Sequence, residues 1–503
     1  MERLSGLDAS FLYLETPAQL MHVCSVMVLD QSTMPGGYSF AEFRATLDAR
    51  VRKVPQFTRK IRRVPLDLGH PVWVSDDHFA VDHHLHRMAL PQPAGYAELM
   101  EICGHLAGQP MNRARPLWEM YVIEGYKDAA GVEKLVVFTK MHHATVDGAS
   151  GANLISYLCS LEPDAPPLAT DEIPMDGSSP SSLELFGRGV FSTLTRPLSI
   201  PRMLGPSVGL ITETISRARK GIAMAPPLTA PRTSFNGTIT GDRTIAVADM
   251  DLEDIKAVRR ATGATVNDIV LSIAGGALRD YLIDRDELPE GSLLASVPVS
   301  VRGESKRDGG ANKVSALFAY LGTDVEDPLE RLRQITEANA KAKEHHKAIP
   351  ADTLQDWAEF AAPRTFGLAV RAYADLRLAE KHPVVHNLVI SNVPGPPIPL
   401  YFMGARIDGM YPLGPVFHGA GVNITVLSNN GVVHVGIIAS EASVRNPETM
   451  VGHFPAELAR LKAEVEVLNA EASAADESAA DESAADESAA DEARTEDSSP
   501  QVP

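Results

Sequence analysis

Apolar and polar positions follow two different rhythms along this chain, and the rhythm changes several times. Residues 20–29, LMHVCSVMVL, are an apolar run rich in β-branched side chains, which predicts a buried strand. Residues 40–54, FAEFRATLDARVRKV, repeat their apolar positions at helical spacing, with Phe43, Leu47 and Val51 on one face. Residues 133–143, EKLVVFTKMHH, read as a strand of Val and Phe that ends at two histidines. Residues 148–161 return to helical periodicity through Leu154, Tyr157, Leu158 and Leu161.

A second alternation of strands and helices begins near Ser234. TVNDIVLSIAGGALRDYLI (265–283) predicts a long apolar helix, with Asn267 or Asp268 as its N-cap. LLASVPVSVR (293–302) and HNLVISNVPG (386–395) read as strands ending in turns. GVNITVLSNNGVVHVGIIAS (421–440) reads as a hairpin about Asn429, Asn430 and Gly431. The pattern is that of an α/β protein in two halves.

Pro, Ser and acids crowd residues 162–182, the signature of a linker. The apolar segment that follows, 183–220, has six bases against two acids. A basic amphipathic helix of this kind can rest on a lipid surface. Pro197, Pro201 and Pro206 break each face into short lengths, so a bridge between halves is the better reading. The expected division is a first half at 1–165, a proline-interrupted helical linker at 166–232, a second half at 233–470 and a tail at 471–503.

Charge changes the picture only once the tail is set apart. The net charge is −19, but the repeats from Ser473 onward carry ten acids and one base, leaving −10 for the rest. A folded part that acidic argues against general nucleic-acid binding, which needs clustered basic charge facing phosphates. The tail has no apolar residue larger than alanine before its last few positions, so disorder is expected there. Three scattered cysteines (Cys24, Cys103, Cys159) make neither a disulfide framework nor a four-thiolate zinc site, and fit a reducing compartment. The N-terminus does not read as a signal peptide, and no run approaches the ~20 apolar residues that span a bilayer.

The chemistry concentrates in KMHHATVDGASG, residues 140–151. On a strand, His142 and His143 project to opposite faces, so only one can face a given cleft, which weakens the reading of a metal clamp. Zinc also needs three or four convergent ligands, and neither HExxH nor a thiolate pair is present. What remains is a histidine base, suited to taking a proton from a hydroxyl near neutral pH. Asp147 either caps the next helix or holds the geometry of the site through a buried ion pair, for which Arg302 is the candidate partner. Gly148 permits a turn that a Cβ would obstruct. No G-x-S-x-G elbow occurs, so the indicated reaction is direct transfer without an acyl-enzyme. A second histidine-rich stretch, DDHFAVDHHLHR (76–87), carries His78, His83, His84 and His86 and reads as solvent-exposed polar positions rather than a metal site.

HHATVDG resembles the HHxxxDG motif of the CoA-dependent acyltransferase superfamily. LSGLDASFLYLET (4–16), RPLWEMYVIEG (115–125), APRTSFNG (230–237), TVNDIVLSI (265–273) and SNVPGP (391–396) narrow the likeness. Together, in this order, they resemble the bacterial wax ester synthase/diacylglycerol acyltransferase family. The resemblance implies two chloramphenicol-acetyltransferase-like α/β domains with a substrate tunnel between them. It implies that His143 is the general base, that His142 supports it, and that Trp118 is a structural anchor. Asn267 and Ser391 become candidates for holding substrate or the oxyanion, although a helix cap and turn chemistry are their ordinary uses. Acyl-CoA is then a co-substrate, no bound cofactor or metal is needed, and the acceptor is diacylglycerol or a fatty alcohol. The expected location is the cytoplasm, with peripheral contact at the inner membrane or lipid droplets. Competing readings are a condensation-type enzyme using a carrier-protein thioester and a non-catalytic lipid-binding paralogue.

Overall fold

The computed structural model describes residues 2–145, 157–164, 228–300, 314–346 and 363–470. Two large mixed sheets dominate it. The first holds, in spatial order, β5 (Leu85–Ala89), β6 (Trp118–Lys127), β7 (Glu133–His142), β2 (His22–Asp30), β14 (Ala405–Leu413), β13 (Tyr401–Phe402) and β8 (Cys159–Ser160). The second holds β11 (Val314–Tyr320), β10 (Leu294–Ser300), β12 (Leu388–Pro394), β15 (Val422–Asn429), β16 (Val432–Ser440) and β9 (Arg243–Asp251). A small third sheet pairs β1 (Glu2–Arg3), β4 (Val72–Ser75) and β3 (Arg59–Arg62).

Strand β14 ties the halves together. It follows β12 in the chain, yet it pairs with β2 of the first sheet, from Arg406 opposite Asp30 to Leu413 opposite Cys24. Its buried Ala405, Ile407, Tyr411 and Leu413 alternate with more exposed positions, the pattern of a strand with one apolar face. A shared core then fills the seam. Cys24, Val26 and Phe138 of the first sheet meet Ile245 and Ile438 of the second, with Leu99 and Cys103 of helix α3 (Tyr96–Gly108) between them. Helix α3 reaches the β9 backbone through Gly104 and Gly108. A Cβ would stand 2.5 Å from the Arg243 carbonyl oxygen at Gly104 and 2.7 Å from that of Gly241 at Gly108.

Most predicted elements are present. Helix α2 (Phe40–Val51) buries Phe43, Leu47 and Val51, as its spacing requires. The hairpin turns at Asn430 and Gly431, with φ of 45° and 84°, the left-handed pair that a two-residue loop demands. Helix α4 (Leu252–Thr262) leads into α5 (Val266–Ile283), which fills the second core. The N-cap of α5 is neither Asn267 nor Asp268. Thr265 caps it, accepting the Asp268 N–H (3.2 Å), while the Asp268 carboxylate accepts the Thr265 N–H (3.1 Å). A capping box closes best on the third helical residue, which leaves Asn267 outside it.

The helical expectation for 148–161 fails in its described part. Cys159 and Ser160 form a strand paired with Phe402 and Tyr401, and Leu161 is exposed. Pairing with a distant edge outweighs local periodicity there. Of the expected linker, only 228–232 falls among the described residues, and the tail at 471–503 lies outside them.

Candidate active site

His143 lies one residue past the end of β7. Its backbone N–H donates to the Met21 carbonyl (2.8 Å), and its ring stacks on Phe11, with centroids 3.9 Å apart and planes at 29°. Phe11 belongs to helix α1 (Gly6–Leu14). Nδ1 of His143 is buried and has no hydrogen-bond partner among the described residues. Burial, and then the neighbouring His142, push the imidazole pKa down to about 4, against a weaker attraction to its own backbone. The ring is therefore neutral across the physiological range.

His142 is the last residue of β7 and points elsewhere. The Ala144 N–H donates to its Nδ1 (3.0 Å), which leaves Nε2 as the nitrogen that can donate. That Nε2 stands 3.1 Å from Glu15 Oε1, close enough for strong attraction but off the line of a well-formed hydrogen bond. Glu15 follows α1 directly and collects several groups. Its Oε1 accepts the Met21 N–H (3.1 Å) and lies 3.7 Å from His22 Nε2, while its Oε2 accepts from Arg113. Burial alone would raise the Glu15 carboxyl, but His142 and Arg113 hold it well below the usual carboxylate range. His22, opposite His142 across the β2–β7 ladder, is pushed down to about 3 by burial and by His142.

The site sits beside the seam between halves. Thr16 and Gln19 follow Glu15, and Gln19 Oε1 accepts the backbone N–H of His418 from the second half (2.9 Å). Thr16 Oγ1 lies 3.5 Å from His418 Nε2. Helix α1 is also covered by α7 (Pro363–Asp375), where Phe366 meets Tyr13 edge-on at 6.4 Å.

The remaining candidates sort clearly. Asp147, Gly148 and Arg302 lie outside the described residues. Asn267 is the second residue of α5, half-buried, with its side chain free of capping duty. Its neighbour Asp268 is buried and accepts from Asn339 Nδ2 (2.8 Å), so that residue is structural. Ser391 stands within β12 opposite Thr425 of β15, in a strand rather than a turn. Among the described residues, no hydrogen bond or ring contact joins Asn267 or Ser391 to either histidine. Trp118 is buried, with Nε1 donating to the Phe57 carbonyl (2.8 Å), which makes it an anchor. The histidine-rich stretch at 76–87 needs correction at His84, which is buried. Its ring stacks on Trp118 at 4.5 Å and its Nδ1 meets the Trp118 carbonyl at 2.8 Å. Aromatic packing, and not solvent, explains that histidine.

Phe11 and Glu15 were missed as site residues. Both lie in LSGLDASFLYLET, a stretch with a visible pattern but no chemistry of its own until α1 docks against the end of β7.

Two mixed sheets sharing a crossover strand place the chain in the chloramphenicol-acetyltransferase-like class of folds. The first condensation domain of the CDA synthetase has the same architecture, with a TM-score of 0.52 over 92% of this chain and 96% of that one at 15% identity. A family model for the wax ester synthase/diacylglycerol acyltransferase catalytic domain matches residues 4–270, and one for the WS/DGAT C-terminal domain matches 310–462. A putative diacylglycerol O-acyltransferase of Mycobacterium tuberculosis is 44% identical over 92% of this chain and 90% of its own length. A probable diacylglycerol O-acyltransferase of the same species, tgs2, is 33% identical over 93% of this chain and 100% of its own. The wax ester synthase/diacylglycerol acyltransferase of Marinobacter aquaeolei VT8 superposes with a TM-score of 0.65 at 30% identity, covering 93% and 100%. The chain belongs to the wax ester synthase/diacylglycerol acyltransferase family of enzymes.

Proposed function

We propose that this enzyme esterifies diacylglycerol to triacylglycerol with acyl-CoA, and long-chain alcohols to wax esters, using His143 as general base. The observation that carries the reading is the setting of the His143 imidazole: stacked on Phe11 with Nδ1 buried, in surroundings that push its pKa down to about 4. Nε2 is then the atom that meets the acceptor. It takes the hydroxyl proton as the oxygen attacks the thioester carbonyl, and a tetrahedral oxyanion forms. Collapse breaks the carbon–sulfur bond, and the leaving thiolate recovers the proton from the imidazolium. A base with a low pKa in the free enzyme is a weak proton acceptor, but the nearby oxyanion strengthens it during attack. No acyl-enzyme and no bound cofactor enter this scheme; acyl-CoA is consumed as co-substrate.

His142, held between Ala144 and Glu15, keeps the adjacent backbone in place in this reading. Asn267 and Ser391 are proposed as contacts to substrate or oxyanion from the second half. Peripheral contact with a membrane or droplet would deliver the acceptor. Among the described residues no single helix is long and apolar enough to cross a membrane. Leu368 and Leu376, each 57% exposed along and just beyond α7, offer an apolar edge near α1 for such contact.

The test is direct. Purified protein is given labelled acyl-CoA with diacylglycerol or hexadecanol, and neutral lipid is quantified. His143→Ala should lower output by about 10²–10⁴-fold, the range for a lost acid–base group. The wild-type rate should stay level from neutral pH downward and fall only as the pH drops through about 4, where the ring protonates. Undiminished product from His143→Ala would remove the base assignment. Transfer from a carrier-protein thioester but not from CoA would replace the donor.

A further inference from the structure

We propose that Phe11 is a positioning residue for acyl transfer: its ring fixes the plane of the His143 imidazole and keeps water from that face. The proposal rests on reading His143 as the base. A histidine base is commonly held by a carboxylate on its far nitrogen, which fixes both ring angle and tautomer. Among the described residues, the nearby carboxylate, Glu15, is engaged with His142, Met21 and Arg113 instead. The Met21 carbonyl secures the His143 backbone but does not stop the side chain from turning. Among the described residues, the ring contact that restrains the imidazole is the stack on Phe11, at 3.9 Å.

Phe11 is mounted firmly enough to act as a reference surface. Ser5 caps α1, its Oγ accepting the Asp8 N–H (3.1 Å). Leu4, Ala9 and Leu12 are buried in one cluster with Trp73, Leu117 and Ala144, and Ala144 is the residue next to His143. The helix that carries the phenyl ring and the turn that carries the imidazole are thus parts of one packed unit. Two further consequences follow from the chemistry of a phenyl ring. It offers no acceptor that could compete for the proton. Its negative face also attracts the imidazolium formed during attack.

Three substitutions separate these effects. Phe11→Leu keeps the site dry but removes the flat face, so kcat should fall about tenfold with KM nearly unchanged. The acid limb of the rate profile should stay near pH 4 in that variant. Phe11→Ala admits water to the imidazole, which favours its charged form. It should lower kcat similarly and move the acid limb upward toward 6.5. Phe11→Trp restores a flat face and should restore kcat. Thermal unfolding of each variant reports whether the fold survives. In ¹³C-histidine-labelled protein, the ring signal that vanishes in His143→Ala gives the titration of His143 without reference to turnover.

Wild-type kcat in Phe11→Leu would overturn the proposal. So would an upward acid limb in Phe11→Leu equal to that of Phe11→Ala, or a loss in Phe11→Leu that Phe11→Trp does not restore, since either reflects structure alone. Full activity in His143→Ala would instead defeat the base assignment, a separate outcome read from a separate variant.

Discussion

Replacing Glu15 by Gln keeps the shape of the side chain and removes its charge. In the native protein this carboxylate is 11% exposed and faces His142 Nε2 at 3.1 Å, the Met21 N–H at 3.1 Å and the Arg113 guanidinium. An amide oxygen can still accept from Met21. What is lost is the charge assistance toward Arg113 and His142. A hydrogen bond to a charged group is worth about 1.5–3 kcal/mol, and the Arg113 share is screened because that side chain is 46% exposed. The expected loss is about 2 kcal/mol in urea unfolding at pH 7. Arg113→Met alone and combined with Glu15→Gln should show a coupling of about 1 kcal/mol.

The pH dependence sharpens this test. Because the folded carboxyl titrates below its unfolded value of about 4.5, its contribution is complete above that pH and disappears as pH falls through the folded value. The difference between wild type and Glu15→Gln should therefore be constant from pH 7 to about 5 and shrink below 4.5. Activity should fall about tenfold, since His142 and His143 share one backbone turn. Equal urea midpoints at every pH, with unchanged turnover, would show that Glu15 does not hold this site together.

Four further outcomes are expected. Gly104→Ala brings a Cβ to 2.5 Å from the Arg243 carbonyl oxygen, so α3 must withdraw from β9 and stability should drop by about 1–2 kcal/mol despite the better helix propensity. Gly452→Ala, in the helix over 447–470 with nothing within 4 Å, should gain up to ~1 kcal/mol in the same denaturation assay. Asp268→Ala should cost about 2 kcal/mol through the lost capping box and the unpaired Asn339. Asn267→Ala should stay within about 0.5 kcal/mol yet lower acyl transfer; normal turnover would leave Asn267 without a role.

How well the site could be read depended on where each residue finds its partners. HHATVDG stood out because the strand and the turn residues after it are contiguous, but strand alternation does not separate the two histidines, since β7 ends at His142 and His143 lies in the turn beyond it. Each ring nonetheless has its own environment, Phe11 for His143 and Glu15 for His142. Thr265 was passed over as a cap because Asn267 and Asp268 are equally good capping types nearby, and only the helix start decides among them. His84 misled for a similar reason, since its stack on Trp118 crosses from the approach to β5 onto β6. Ser391 looked like a turn residue beside Pro-Gly, but pairing with β15 carries the strand past it.

The local order of strands, helices and turns was determined by the sequence itself, because hydrophobic period, caps and left-handed turn residues act over a few positions. The chemistry we propose rests on local signals too, a candidate histidine base with neither thiolates nor a serine elbow nearby in the sequence. Tertiary structure decided what surrounds His143. Residues 11 and 15 reach residues 142 and 143 only because α1 docks at the end of β7, and β14 joins the first sheet only because β2 offers it an open edge. Such contacts span more than a hundred residues of chain, and no local preference encodes them. They arise when apolar faces that cannot be buried separately are buried together.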